Sequence, residues 1–281
     1  MSVRIVIDST CDIPANLKSR FAIVPLTVTF GSESYLDGVT IDHQRFYEML
    51  VESDALPTTS QPSPDAFSRV FRQALRDCDE VVCLTVSSRL SGTCQSATIA
   101  AEDYEGRVHV VDTLNVAIGE AILAQLALQL ADSGMCAADI ASRLLEERAN
   151  VHLIAMLDTL EYLKRGGRIS RAAAFAGGLL SIKPVIEIRD GEIGILGKAR
   201  GSRQGNNLLV KEIQTAGGVD FNKPLLLGFT GLSDALLRKY IEDSCELWQG
   251  HVTELPCAHI GSVVGTHAGP GAVAVAFFAA K

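Results

Sequence analysis

Glu80-Val81-Val82-Cys83-Leu84-Thr85-Val86-Ser87-Ser88-Arg89-Leu90-Ser91-Gly92-Thr93 changes character twice along its length. Glu80 to Val86 is a nearly unbroken β-branched and apolar run, the pattern of a buried strand. Ser87 to Thr93 is a hydroxyl-rich turn, and Gly92 to Glu102 then reads as a helix. Strand, polar turn and helix in that order form the unit of an α/β fold.

The same alternation extends on both sides. Upstream, Arg4 to Asp8 reads as a buried strand, and Pro14 suits the first turn of a short helix. Ala22 to Phe30 reads as one extended run. Asp42 caps a helix over His43–Glu52, and Ser63-Pro64-Asp65 supplies cap, N1 proline and first-turn acid for another. Phe67, Val70, Phe71, Ala74 and Leu75 follow a helical face. Downstream come a strand over Arg107–Val111, helices over Ile118–Ala131 and Ala138–Arg148, and Val151 to Leu157 closing the set. Strands separated by helices imply a mostly parallel, doubly wound sheet.

The second half has a different grammar. Asp158 to Lys164 is helical and stops at Gly166-Gly167, a C-cap. Pro184–Arg189, Asp190-Gly191 and Glu192–Leu196 form a hairpin signature. A helix over Asn206–Ala216, a strand over Pro224–Phe229, a helix over Asp234–Trp248 and two late strands follow. The expected organisation is α/β throughout: an N-terminal domain over residues 1–157 and a mixed α/β domain over 158–281.

Composition excludes several classes of function. With 281 residues, 47% hydrophobic and 21% charged, the chain can bury a large core and is not disordered. A net charge of −8 disfavours broad binding to nucleic acid or anionic membranes. The short apolar run before Asp8 is no signal-peptide core, and no stretch is long enough to span a membrane. Seven irregularly spaced cysteines make neither a disulfide framework nor a zinc site, and most are expected to be core residues in a reducing cytoplasm.

Familiar catalytic motifs fail on inspection. No G-x-G-x-x-G follows the first strand. Gly191 to Lys198 is spaced one residue too long for a phosphate loop, lies in the hairpin, and is followed by Ala199. H-E-x-x-H is absent. A serine hydrolase built on Ser91, His267 and Asp112 is the main enzymatic alternative, but Ser91 lacks the upstream glycine of a nucleophile elbow.

Three polar clusters remain at expected strand ends: Thr58–Ser63, Ser87–Thr93, and Gly265–Gly271, a loop between the last two extended runs. Separately, the first two read as helix caps and His267 as a loop histidine bonded to backbone. Together, at the carboxyl ends of α/β strands, hydroxyls, helix N-termini and a histidine suit a carboxylate or phosphate.

At these clusters, and nearly end to end, the sequence resembles the DegV family of bacterial fatty-acid-binding proteins, which includes the FakB subunits of fatty acid kinase. The likeness rests on Asp8-Ser9-Thr10-Cys11-Asp12-Ile13-Pro14, Val24-Pro25-Leu26, Thr59-Ser60-Gln61-Pro62-Ser63 and Ser87–Thr93. It continues through Leu160–Ile169, Ser181-Ile182-Lys183-Pro184, Lys198-Ala199-Arg200 and Gly265–Gly271. Cys94 departs from the pattern, standing where an aromatic is common.

The resemblance implies two α/β domains with one long-chain fatty acid in a tunnel at their junction. It places the carboxylate-binding residues on Thr59, Ser91 and His267, with Ser60, Ser88, Gly92, Thr93, Asp8, Ser9 and Thr10 nearby. It further implies a non-catalytic carrier without a cofactor, whose ligand a FakA-like kinase subunit phosphorylates to an acyl phosphate for lipid synthesis. Arg165, Arg168, Arg171, Lys198 and Arg200 are the expected docking neighbourhood. A protein that senses an acyl ligand would share the same site.

Overall fold

The computed structural model describes residues 2–53, 55–168 and 182–280. Its first sheet runs β2-β1-β6-β7, all parallel, with β1 at Val3–Asp8, β2 at Ala22–Val24, β6 at Glu80–Thr85 and β7 at Val108–Asp112.

Side-chain parity makes this sheet doubly wound. Ile5, Ile7, Val82 and Leu84 point to one face, where α4 (Ala117–Asp132) and α5 (Ala137–Glu147) pack. Val6, Val81 and Cys83 point to the other, under α2 (Pro64–Asp77) and α3 (Thr93–Ala101). Continuous apolar strands are what a sheet covered on both faces requires. The expected caps are present: Ser63 Oγ accepts from the Ala66 N–H, and Asp42 Oδ1 from the Arg45 N–H at the start of α1 (His43–Glu52).

A small antiparallel sheet, β4-β3-β5, was not legible in the sequence. The single run expected over Ala22–Phe30 divides: β2 joins the parallel sheet, while β3 (Thr27–Phe30) pairs with β4 (Glu33–Leu36) and β5 (Thr58–Ser60). Pro25, which lacks an N–H for a ladder, sits at the break.

The second sheet has the order β10-β9-β8-β13-β11-β12. Its members are β8 (Val151–Met156), β9 (Ile182–Arg189), β10 (Glu192–Arg200), β11 (Leu226–Phe229), β12 (Cys257–His259) and β13 (Val273–Phe278). The strand over Val151–Leu157 therefore does not close the first set; it pairs antiparallel with β9 and β13. An apolar run specifies burial but not its partner. The β9–β10 hairpin matches expectation, with Asp190 at φ 53 and Gly191 at φ 79, the two left-handed residues of a type I′ turn.

Helix α4 joins the two sheets. It touches β1 and β6 on one side and β8, β11 and β13 on the other. Ala117 to Ala124 are all buried, as a helix apolar around its whole circumference must be. One apolar core runs from Ile5 through Ile118 and Ile122 to Leu153, Ile188 and Phe278. The remaining helices are α6 (Glu161–Arg165), α7 (Gly201–Thr215), α8 (Ala235–Asp243), α9 (Cys245–Trp248) and α10 (Ser262–Ala268).

Two smaller expectations fail. Only Cys11 and Cys83 of the cysteines are buried, and Cys245 and Cys257 are exposed. The segment expected to be a loop around His267 contains α10, with Gly269 (φ 71) as its cap. Glycine is a weak helix former, but Gly265 lets α10 lie close against α1: a Cβ there would meet Tyr47 Oη at 2.5 Å.

Candidate ligand site

A cavity of about 400 Å³ lies where the sheets meet, within the range of small-molecule sites. Eighteen of its 27 lining residues are aliphatic or alanine. The second sheet supplies Leu153, Ala155, Ile186, Ile188, Ile193 and Ala274; α4 supplies Ala117; α10 supplies Val263, Val264 and Ala268. Ala155 and Ala274 face each other in register across β8 and β13, so two small side chains leave the space open. The polar lining includes Thr59, Ser60, Gln61, Ser91, Arg168 and His267.

A ring of contacts gathers the polar groups. His267 Nε2 lies 3.0 Å from Thr59 Oγ1. Two residues after Thr59, Gln61 Nε2 donates to the Gly92 carbonyl at 3.2 Å, beside Ser91. On the other side of Ser91, the Leu90 carbonyl accepts from Arg168 Nε at 3.3 Å. Arg168 Nη1 donates to the Gly166 carbonyl at 2.9 Å. Gly166 packs against the His267 ring so tightly that a Cβ would meet Nδ1 at 2.2 Å.

The histidine is neutral. Burial, with the Arg168 charge adding to it, lowers its pKa to about 4. Nδ1 is buried without a hydrogen-bond partner among the described residues. An orphaned N–H is rarer than an orphaned acceptor, so we assign the proton to Nε2. Nε2–H then donates to Thr59 Oγ1, and the threonine proton is free to point at a ligand. Ser91 Oγ contacts Thr93 Oγ1 at 2.8 Å and accepts from the Thr93 N–H at 3.3 Å.

Thr10 also lines the cavity and is backed by buried acids. Its hydroxyl lies 2.7 Å from Asp8 Oδ1 and 2.9 Å from Glu120 Oε2. Burial lifts Asp8 to about 6 and Glu120 well above the usual carboxylate range. A protonated Glu120 can donate to Thr10, which donates to Asp8, so three buried oxygens share protons without a cation. Asp12 Oδ1 and Asp37 Oδ1 accept from the N–H groups of Gly261 and Ser262, fixing the start of α10 and with it His267.

The other expected residues lie as follows. Ser9 Oγ accepts from the Leu26 N–H, Thr93 is buried behind Ser91, and Ser88 faces outward with its N–H on Asp112. Arg168, expected on a docking surface, is in the cavity wall. Arg165 pairs with Glu161, Lys198 and Arg200 are exposed on β10, and Arg171 lies outside the described residues. Thr59 stands within a strand and not at a strand-to-helix junction, because β5 completes the small sheet. Sequence reasoning had Gln61 within the first polar cluster but gave it no role, and it missed Ala117, a non-glycine residue at φ 54 whose local sequence does not mark that conformation.

The hydrolase triad does not assemble. Thr93 holds Ser91, Thr59 holds His267, and Asp112 accepts from Ser88 and Leu114. A triad base needs a carboxylate at its second nitrogen, and Nδ1 of His267 has none. No group of three potential metal ligands occurs among the described residues. Nor is any helix among them long and apolar enough to cross a membrane.

The profile of the DegV family, described as uncharacterised proteins, matches residues 2–280. The chain belongs to the DegV family. A DegV domain-containing protein of Caldanaerobacter subterraneus is 34% identical over 98% of both chains. A Thermus thermophilus DegV family protein, whose structure is described as showing fatty acid binding, is 33% identical and superposes with TM-score 0.90 over 100% of both chains. A stearic acid-binding protein from Eubacterium ventriosum is 27% identical, with TM-score 0.87 over 99% of this chain and 98% of its own. The DegV fold thus accounts for the parallel sheet and the separate mixed sheet.

Proposed function

We propose that this DegV protein carries one long-chain fatty acid in the cavity, with the carboxylate at Thr59, Ser91 and His267. The carrying observation is a largely aliphatic cavity whose polar ring contains hydroxyls, a neutral histidine and one arginine. Each buried CH₂ is worth about 0.8 kcal/mol, so a long alkyl chain supplies ample binding energy. The carboxylate is costly to bury unless hydrogen-bonded, and hydroxyl donors meet that need. Thr59 is half-buried and Ser60 and Gln61 are exposed, which keeps the polar end within reach of solvent.

In this reading the protein is not the catalyst. A separate FakA-like kinase docks over the polar end, near Arg165, Arg168, Lys198 and Arg200. The carboxylate oxygen attacks the terminal phosphorus of ATP, giving an acyl phosphate and releasing ADP. Arg168 would offset the added negative charge. The carrier location is the cytoplasm, where ATP is available.

Mass spectrometry of an organic extract from the purified protein tests the cargo. A stoichiometric long-chain acid is expected. An empty extract, together with no binding of added palmitic acid, would overturn the reading. Fluorophosphonate treatment should leave Ser91 unlabelled; labelling would instead restore the hydrolase.

A further inference from the structure

We propose that Gln61 is a positioning residue: its side-chain amide locks the strand bearing Thr59 to the turn bearing Ser91 and so fixes the spacing of the two hydroxyls. This rests on the fatty-acid reading above.

The need for such a lock follows from topology. Thr59 lies in β5, a three-residue strand that among the described residues pairs with β3 alone, in the order β4-β3-β5. Ser91 belongs to the turn between β6 and α3, part of a different sheet. Among the described residues no backbone ladder joins the two, so side-chain contacts set their separation, including the packing of α2 on α3. Gln61 is the first residue after β5, and its Nε2 donates to the Gly92 carbonyl at 3.2 Å and to Ser96 Oγ at 3.1 Å. Both acceptors lie at the start of α3, and Gly92 directly follows Ser91.

The same contact is seen from the side of Gly92. Its φ of −78 is open to any residue, so the backbone does not demand glycine there. The amide does: a Cβ at position 92 would lie 2.2 Å from Gln61 Oε1, so any larger residue there displaces the amide from its present place. Gly92 accommodates the amide, and the amide holds Gly92. Gln61 also lines the cavity while remaining exposed, which places the lock at its mouth.

The test compares two probes of equal chain length, palmitic acid and hexadecanol, by displacement of a fluorescent fatty acid. Gln61→Ala and the similarly sized Gln61→Met should weaken palmitic acid about fivefold, the effect of one misaligned hydrogen bond to the carboxylate. Hexadecanol, which has no carboxylate to align, should change less than about twofold. Gly92→Ala should reproduce the loss in the wild-type background and add little to Gln61→Ala, since the two act through one contact. Equal weakening of both probes would mean general damage to the cavity and would overturn the proposal. So would unchanged palmitic acid affinity in Gln61→Met. If the unmodified protein binds neither probe, the fatty-acid reading falls first, which separates the two failures.

Discussion

His267 Nε2 and Thr59 Oγ1 lie 3.0 Å apart although 208 positions separate the residues. The bond joins α10 to the edge strand of the small sheet, and the unpartnered Nδ1 fixes its direction. Histidine donates, and threonine relays a donor toward the cavity.

The position of that bond, on Nε2, makes the two amide replacements unequal. Glutamine can place an N–H near the Nε2 position, whereas asparagine reaches only the Nδ1 position. His267→Gln should bind palmitic acid close to wild type, and His267→Asn should lose about tenfold. Calorimetric titration of the two variants measures this. The reverse order would move the functional contact from Nε2 to Nδ1.

The pH dependence of stability has a definite sign. The His267 pKa is about 4 in the folded chain, below the ordinary 6.5. Between those values the unfolded chain takes up a proton that the folded chain refuses, so acidification through this window costs stability. Asp8 runs oppositely: lifted from 3.8 to about 6, it holds a proton when folded, and its contribution fades as pH rises through that window. Urea midpoints at pH 7 and pH 4.5 for wild type and His267→Gln isolate the histidine, because Asp8 is common to both. Relative to the variant, wild type should lose stability at pH 4.5. A constant difference would show that burial does not keep the ring neutral.

Gly166 sets the place of the imidazole. Its φ is −71, so alanine is compatible with the backbone, but the new Cβ would sit 2.2 Å from Nδ1. Gly166→Ala should cost about 1–3 kcal/mol in thermal or urea unfolding through overpacking. Displacing the ring should weaken palmitic acid binding as well. Wild-type affinity in a folded variant would separate His267 from the ligand.

The facing pair Ala155 and Ala274 tests the cavity by filling it. Ala155→Leu adds apolar volume to open space, so the delipidated variant should keep or raise its melting temperature. Its extract should contain less long-chain acid, and added short-chain acids should be tolerated better than long ones. Full loading with the long-chain acid would place the ligand elsewhere.

Much of this was written locally. Alternating side chains on Val81 to Leu84 set the two covered faces of the first sheet, Asp190-Gly191 set the hairpin turn, and Ser63 and Asp42 set their helix starts. These signals span a few residues because hydrogen bonds within a turn and the periods of strand and helix do. The residue types of the site were visible too, as hydroxyl clusters and a glycine-flanked histidine, and the family likeness named Thr59, Ser91 and His267 as the group to examine.

Tertiary structure decided the rest. Val151–Met156 looked like any buried strand, and only packing against β13 and β9 assigned it to the second sheet. His267 became helical because α10 could lie against Phe46 and Tyr47, a contact that outweighs the poor helix propensity of its one glycine, Gly265. Arg168 turned from surface to cavity wall once Leu90 and Gly166 offered it carbonyls. Local sequence determines what each segment can be and which face it buries. The partner across the cavity is set by the simultaneous packing of segments far apart in the chain, and Thr59 meeting His267 is a property of that packing alone.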